Sequence, residues 1–260
     1  MLRPRIIPCL LVHRGGLVKT VRFKDPKYVG DPINAVKIFN EKETDELAVL
    51  DIDATANQVE PDFKLIANLA AECRMPLCYG GGVKTADQAR RIIGLGVEKV
   101  AISSAALERP ALITEAAGEV GAQSVVVVLD VRPQAKGSGH DVWTHNGQRN
   151  TGRSPIDVAQ QVEALGAGEI VINAIDRDGV GQGYDLDLAL AIRKAVQIPM
   201  TFLGGAGSLQ DLGRLFEACG VVGAAAGSLF VFKGPYRAVL INYPTPSSKD
   251  DLIARALRNS

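Results

Sequence analysis

The sequence predicts a closed (βα)₈ barrel of two repeated half-barrels, and three observations predict it. Short β-branched runs alternate with amphipathic stretches along the chain, the runs are apolar without alternation, and the second half repeats glycine, proline and aspartate signals of the first. A doubly wound open sheet is the weaker alternative, and the repeat argues against it.

The strand runs, in order, are Arg5 to Val12, Leu47 to Asp51, Leu77 to Tyr79, Lys99 to Ile102, Ser124 to Val131, Glu169 to Ile175, Met200 to Leu203 and Val222 to Ala225. Val125-Val126-Val127-Val128-Leu129 shows why they read as parallel: a run with no polar face is buried on both sides. Helical periodicity marks Asp31 to Lys42, Asp62 to Glu72, Thr85 to Gly94, Pro110 to Val120, Pro155 to Leu165, Leu186 to Val196 and Ser208 to Ala218. Two connections run long, His13 to Gly30 and Arg132 to Arg153, at equivalent places in the two halves. In a barrel both lie on the carboxyl face, as candidate lids. The second holds Asp141-Val142-Trp143-Thr144 and then Asn146-Gly147, read as a hairpin with a tight turn. Beyond a Pro- and Ser-rich stretch from Tyr243 to Lys249, the segment Asp250 to Arg258 is either a final helix or a loosely docked tail.

The repeat pairs Met75-Pro76, Gly80-Gly81-Gly82 and Ser103-Ser104-Ala105 with Ile198-Pro199, Gly204-Gly205-Ala206-Gly207 and Gly227-Ser228-Leu229. It also sets Asp51-Ile52-Asp53 against Asp176-Arg177-Asp178. One domain over residues 1–260 is expected, with half-barrels of about 1–121 and 122–243 and a tail at 244–260.

Lys+Arg and Asp+Glu are equal at 29 each, so no global field points to nucleic acid or a membrane surface, and neither is expected as a partner. Cys9, Cys73, Cys78 and Cys219 lack CxxC spacing and read as reduced core residues. With no apolar run near the roughly 20 residues of a membrane span and no signal-peptide pattern, a cytoplasmic chain is expected.

Any anion must therefore be held locally. Glycine-rich turns after barrel strands, feeding helix N-termini, suit a phosphate. Gly81 and Gly82 with Ser103 and Ser104 form one such set, and Gly204, Gly205 and Gly207 with Gly227 and Ser228 the other; a phosphorylated small molecule is the expected ligand. Carboxylates ending buried strands project into the barrel mouth: Asp51, Asp130, Asp176 and Asp178, of which Asp130 is the sharpest candidate general acid or base. One of Asp176 and Asp178 is a candidate partner for Arg177. Lys19 reads as an anion contact or a solvated loop lysine. His13, His140 and His145 show no metal spacing and read as surface residues; no metal and no cofactor are expected.

Arg5-Ile6-Ile7-Pro8-Cys9-Leu10, Lys19, Gly80-Gly81-Gly82, Asp176-Arg177-Asp178-Gly179 with Gly183-Tyr184-Asp185, and Gly204-Gly205-Ala206-Gly207 resemble the HisF cyclase family of imidazole glycerol-phosphate synthase, over about residues 1–235. The resemblance implies a two-phosphate ribonucleotide substrate, with Asp178 and Gly179 among its contacts. It also implies a HisH-like glutaminase forming a heterodimer on the opposite face, and ammonia moving through the barrel. The family's charged gate falls on Arg5, Glu46, Lys99 and Glu169, and its glutaminase-facing side on Glu98 and Gln123. One departure stands out. The family uses aspartates at the ends of strands one and five; here Asp130 is present and Leu11 stands in place of the other. Ser103 replaces the usual Asn and Asn173 the usual Thr.

The leading reading is a HisF-like paralog that passes ammonia to another acceptor, of the kind associated with sugar amidotransferases making acetamidino sugars for surface polysaccharides such as O-antigen. The alternatives are a histidine-pathway cyclase in which Asp51 or Asp53 compensates for Leu11, and a non-catalytic scaffold that activates a glutaminase. Sugar-phosphate isomerases with the same repeat are disfavoured by the gate residues and Gly183-Tyr184-Asp185.

Overall fold

The computed structural model describes residues 3–258. β1 (Arg5–His13) leads into a hairpin, β2 (Gly16–Val21) and β3 (Lys24–Gly30), and then α1 (Pro32–Glu41). β4 (Leu47–Asp51), α2 (Phe63–Glu72), β5 (Leu77–Gly80), α3 (Ala86–Gly94), β6 (Lys99–Ile102), the short α4 (Ser104–Glu108) and α5 (Ala111–Val120) follow. The second set begins with β7 (Val125–Pro133) and its own hairpin, β8 (His140–Thr144) and β9 (Arg149–Asn150). It continues through α6 (Pro155–Ala164), β10 (Glu169–Ala174), α7 (Leu186–Ala195), β11 (Met200–Leu203), α8 (Leu209–Cys219), β12 (Gly223–Ala226) and α9 (Ser228–Val231). Two-residue strands β13 (Phe232–Lys233) and β14 (Ala238–Val239) precede α10 (Pro246–Arg258).

Eight strands close a parallel ring in the order β1, β4, β5, β6, β7, β10, β11, β12, with β12 pairing back to β1. The fold is the predicted (βα)₈ barrel. Helix starts follow local chemistry: Asp31, Asp62, Ser154 and Asp185 accept from the first free N–H groups, and Thr85 with Gln88 and Ser208 with Asp211 form capping boxes. The main core lies between the strands and the helices, where Tyr79, Phe39 and Phe216 are fully buried.

Inside the barrel the residues are smaller. Ala48, Cys78, Ala101, Val126, Val171 and Ala225 leave an apolar void of about 30 Å³, enough for one water-sized molecule where barrel interiors are usually filled.

Two expectations change and one open alternative is resolved. The stretch from His13 to Gly30 is a hairpin rather than an open loop; Lys24–Gly30 is polar and mostly exposed, so it lacks the alternation of a half-buried strand. The turn between β8 and β9 is wider than a two-residue turn, with His145, Asn146 and Gly147 all at positive φ. The C-terminal segment is a docked helix: α10 packs against α8, with Leu252 set over Gly213, and its Ile253 and Ala256 are buried. Among the described residues, no helix is long and apolar enough to cross a membrane.

Candidate functional site

The amino ends of the strands carry four charges in a ring. Arg5 pairs with Glu46 and with Glu169 (2.7 Å), and Lys99 bridges back to Glu46 (2.9 Å) and Glu169 (2.8 Å). Thr201 donates a further hydrogen bond to Glu169 (2.6 Å). Both carboxylates are buried, so each needs its cations close. Burial alone would raise the Glu169 carboxyl, but Arg5 and Lys99 outweigh it and hold the group down at about 2. This floor separates the exterior from the void above it, whose wall includes Glu46 and Glu169. Glu98 and Gln123 are exposed at the same end, with Glu98 accepting from Leu77 N (2.7 Å).

At the carboxyl end a cavity of about 290 Å³ opens, and its lining includes Leu11, Asp51, Gly81, Gly82, Ser103, Ser104, Asp130, His145, Asn146 and Asn173. Asp130 is its buried acid. Burial pushes it up to about 7 against the opposing hydrogen bond from Asn173 Nδ2 (2.8 Å), a value suited to moving protons near neutral pH. Leu11 contributes no titratable group. Asp51 reaches the same cavity and burial raises it too, but its Oδ1 already accepts from Asp53 N (2.8 Å) and Ala54 N (3.2 Å). Asp53 is engaged by His13 Nδ1 (2.7 Å) and Arg14 N (2.7 Å).

The two glycine sets differ. In the first, a Cβ on Gly81 would lie 2.5 Å from Asp51 O and one on Gly82 2.9 Å from Val59 O, so both glycines are required by close backbone approach. This set faces the cavity. Among the described residues Ser103 Oγ is buried there with no partner, and Ser104 Oγ accepts from His145 N (2.9 Å). In the second, Gly205 and Gly207 are packed against the backbone of Gly183 and Gly181. Lys19 Nζ lies 2.8 Å from where a Cβ on Gly227 would stand and donates to Cys9 O. Ser228 opens α9, and Gly204 at positive φ meets Ala174.

The hairpins cross between halves. β2–β3 reaches the loop after β10: Asp178 accepts from Thr20 Oγ1 (2.6 Å) and Phe23 N (3.2 Å), Arg22 N donates to Asp178 O (3.0 Å), and Gly179 leaves room for Thr20 O. β8–β9 reaches the opposite way, where Asn146 Nδ2 donates to Ile52 O (2.7 Å).

Several placements differ from the sequence reading. Lys19 is 5 % exposed, not a solvated loop residue. Arg177 lies against Asp185 (3.7 Å) and donates to Gly183 O (3.1 Å), so neither flanking aspartate is its partner. The three histidines face carboxylates: His13 on Asp53, His140 on Asp185 (3.3 Å) and His145 on Glu108 (3.7 Å). Sequence reasoning missed Thr20, His145 and Asn146 at the mouth; the Asn146-Gly147 turn signal located the hairpin tip but not its destination. Among the described residues no group of His, Cys, Asp and Glu is arranged to hold a metal ion.

The sequence pattern of the histidine biosynthesis protein family matches residues 5–236. A Vibrio vulnificus protein provisionally named imidazole glycerol phosphate synthase subunit hisF3 is 58 % identical over 249 residues, covering 96 % of each chain. A Leptospira interrogans protein, provisionally named as the HisF subunit of the same synthase, is 54 % identical over 252 residues, 97 % of this chain and 99 % of that one. The imidazole glycerol phosphate synthase subunit HisF of Lactococcus lactis subsp. cremoris is 42 % identical over 230 residues, 88 % of this chain and 89 % of its own.

Proposed function

This chain belongs to the histidine biosynthesis protein family, and on that premise we propose that it is a HisF-type subunit that takes ammonia from a glutaminase at its floor and delivers it to a phosphorylated acceptor other than the cyclase substrate. The observation that carries the second half of this reading is Leu11 in the wall of the cavity that holds Asp130. A two-carboxylate cyclisation needs an acid on each side of the substrate, and an isobutyl group moves no proton; losing such a group commonly costs about 10² to 10⁴ in rate.

The conduit rests on the lower barrel. The charged ring is the gate, Glu98 and Gln123 stand on the glutaminase-facing side, and the apolar void above the ring has room for one ammonia molecule. At the mouth, the phosphate sits on Gly81, Gly82, Ser103 and Ser104, with Asp130 and Asn173 beside the reacting end. The second glycine set, with Lys19, Asp178 and Gly179, holds a further anionic group only if Lys19 swings away from Gly227. The acceptor belongs to acetamidino-sugar chemistry in this reading, with a sugar amidotransferase as the third protein.

The second reading, a histidine-pathway cyclase, is favoured by one observation: Asp51 lines the cavity with a raised carboxyl. The purified protein, a glutaminase of the family and the histidine-pathway ribonucleotide decide between them, with imidazole glycerol phosphate as the readout. Little or no product supports delivery to another acceptor. Product at ordinary enzymatic rates, abolished by Asp51→Asn, establishes the cyclase reading instead.

A further inference from the structure

The C-terminal segment lies beyond the family match, and neither the barrel nor the mouth accounts for it. It runs back from α9, where Asn242 N donates to Phe230 O (2.9 Å) and the Tyr243 ring packs on Phe230 (5.4 Å between ring centroids), and the Tyr243 hydroxyl points to the floor. There Tyr243 Oη donates to Ile6 O (2.9 Å) and accepts from Asp45 N (3.2 Å). One turn into α10, Lys249 is 6 % exposed. Its ammonium reaches Asp45 Oδ1 (2.5 Å) and Glu43 O (3.2 Å) and lies over the Tyr243 ring (5.3 Å). Asp45 Oδ2 in turn accepts from Ile6 N (2.9 Å).

A buried ammonium is costly without an ionic partner, so Lys249 and Asp45 fix each other. Asp45 precedes Glu46, and Ile6 follows Arg5. The tail's contacts to Asp45 and Ile6 are thus each one peptide bond from a member of the charged ring, while its bonds to Glu43 O and Arg3 anchor it farther off.

We propose that Tyr243 and Lys249 are positioning residues for the ring, holding Asp45 and Ile6 so that Glu46 and Arg5 meet and the floor stays closed. The proposal rests on the reading of the ring as the gate of the barrel. A docking helix is used here because Arg5 and Lys99 are long, flexible side chains, and a closed ring requires the backbone beneath them to be fixed.

Cys78 is a built-in reporter, since it lines the void directly above Glu46 and Glu169. The full chain is treated with iodoacetamide under native conditions, and peptide mass spectrometry follows Cys78 separately from Cys9, Cys73 and Cys219. Arg5→Ala, which removes a ring member, is expected to speed Cys78 labelling at least about tenfold, and Lys249→Met about three- to tenfold. Lys249→Arg, which keeps the cation, stays near the wild-type rate. Tyr243→Phe, which keeps the aromatic packing and removes one hydroxyl, gives a smaller rise and decides the matter if Lys249→Met does not fold. Leu252→Ala loosens α10 on α8 without touching Asp45 and serves as the stability control; its labelling rises no more than its loss of stability requires. Rapid labelling in Arg5→Ala with wild-type rates in Lys249→Met and Tyr243→Phe overturns the role of the tail and leaves the gate standing. Wild-type rates in Arg5→Ala as well overturn the gate and the tail together.

Discussion

The two hairpins at the mouth occupy equivalent places and are held by different chemistry. β2–β3 is fixed at its base and its tip by carboxylates, Asp53 on His13 and Arg14, and Asp178 on Thr20 and Phe23. At its tip, β8–β9 is held mainly by neutral bonds, Asn146 to Ile52 O and His145 N to Ser104, with Glu108 and the His145 ring half-exposed at 3.7 Å. The clamped hairpin covers the closed glycine set and also lines the open cavity with Thr20 and Phe23, while the tip of β8–β9 lines it with His145 and Asn146. Hydrogen bonds to charged groups are worth roughly twice neutral ones, so the tip of β8–β9 is expected to open more readily than that of β2–β3.

The largest expected effect concerns Asp130, the acid whose partner across the repeat is Leu11. Its folded carboxyl, raised to about 7 from 3.8, binds a proton over a range in which the unfolded chain has lost it. Its contribution to stability is therefore full below about pH 4 and declines as pH rises toward 7, by up to about 4 kcal/mol. Urea unfolding across that window should show a decline that Asp130→Asn lacks; identical pH profiles would contradict the burial assigned to this group. Glu169 works in the opposite sense. Its carboxyl, held at about 2, contributes stability that is present above 4.5 and lost as pH falls toward 2.

Asp178→Ala comes next. It leaves Thr20 and Phe23 without their acceptor and should cost about 2–3 kcal/mol while exposing the amides of 19–23 to exchange. If exchange there is unchanged, the carboxylate is not the clamp. Asn146→Asp is smaller: it keeps a residue tolerant of positive φ but turns the donor to Ile52 O into an acceptor. A cost of about 1 kcal/mol is expected, together with faster exchange confined to β8–β9. The unaltered protein gives the smallest contrast, His145–Gly147 amides exchanging before those of 19–23. The reverse order would break the comparison.

The barrel was legible because its strands are apolar runs and α1, α2, α3, α6, α7 and α8 open on capping residues, signals carried by neighbours in sequence. The hairpin β3 was not, since Lys24–Gly30 contains Pro26 and shows little burial. Asp130 was visible as a carboxylate ending a valine run. That His145 would roof the opposite half was invisible, because the hairpin tip meets Ser104 through a contact 41 residues away. The ring was readable only through family resemblance: Arg5, Lys99 and Glu169 at strand starts look locally like solvated ends. Lys249 gave no signal either, as a lysine in a polar helix reads as exposed until its carboxylate is found 204 residues earlier.

Leu11, facing Asp130 across the repeat, is the substitution proposed to keep this mouth from cyclising the histidine-pathway ribonucleotide. Turnover of the histidine-pathway ribonucleotide by Leu11→Asp, beside the unaltered protein and with ammonium salt in place of a glutaminase, tests it most directly. Leu11→Asp is expected to raise imidazole glycerol phosphate formation by about 10² or more. Equal rates for the two proteins would contradict it.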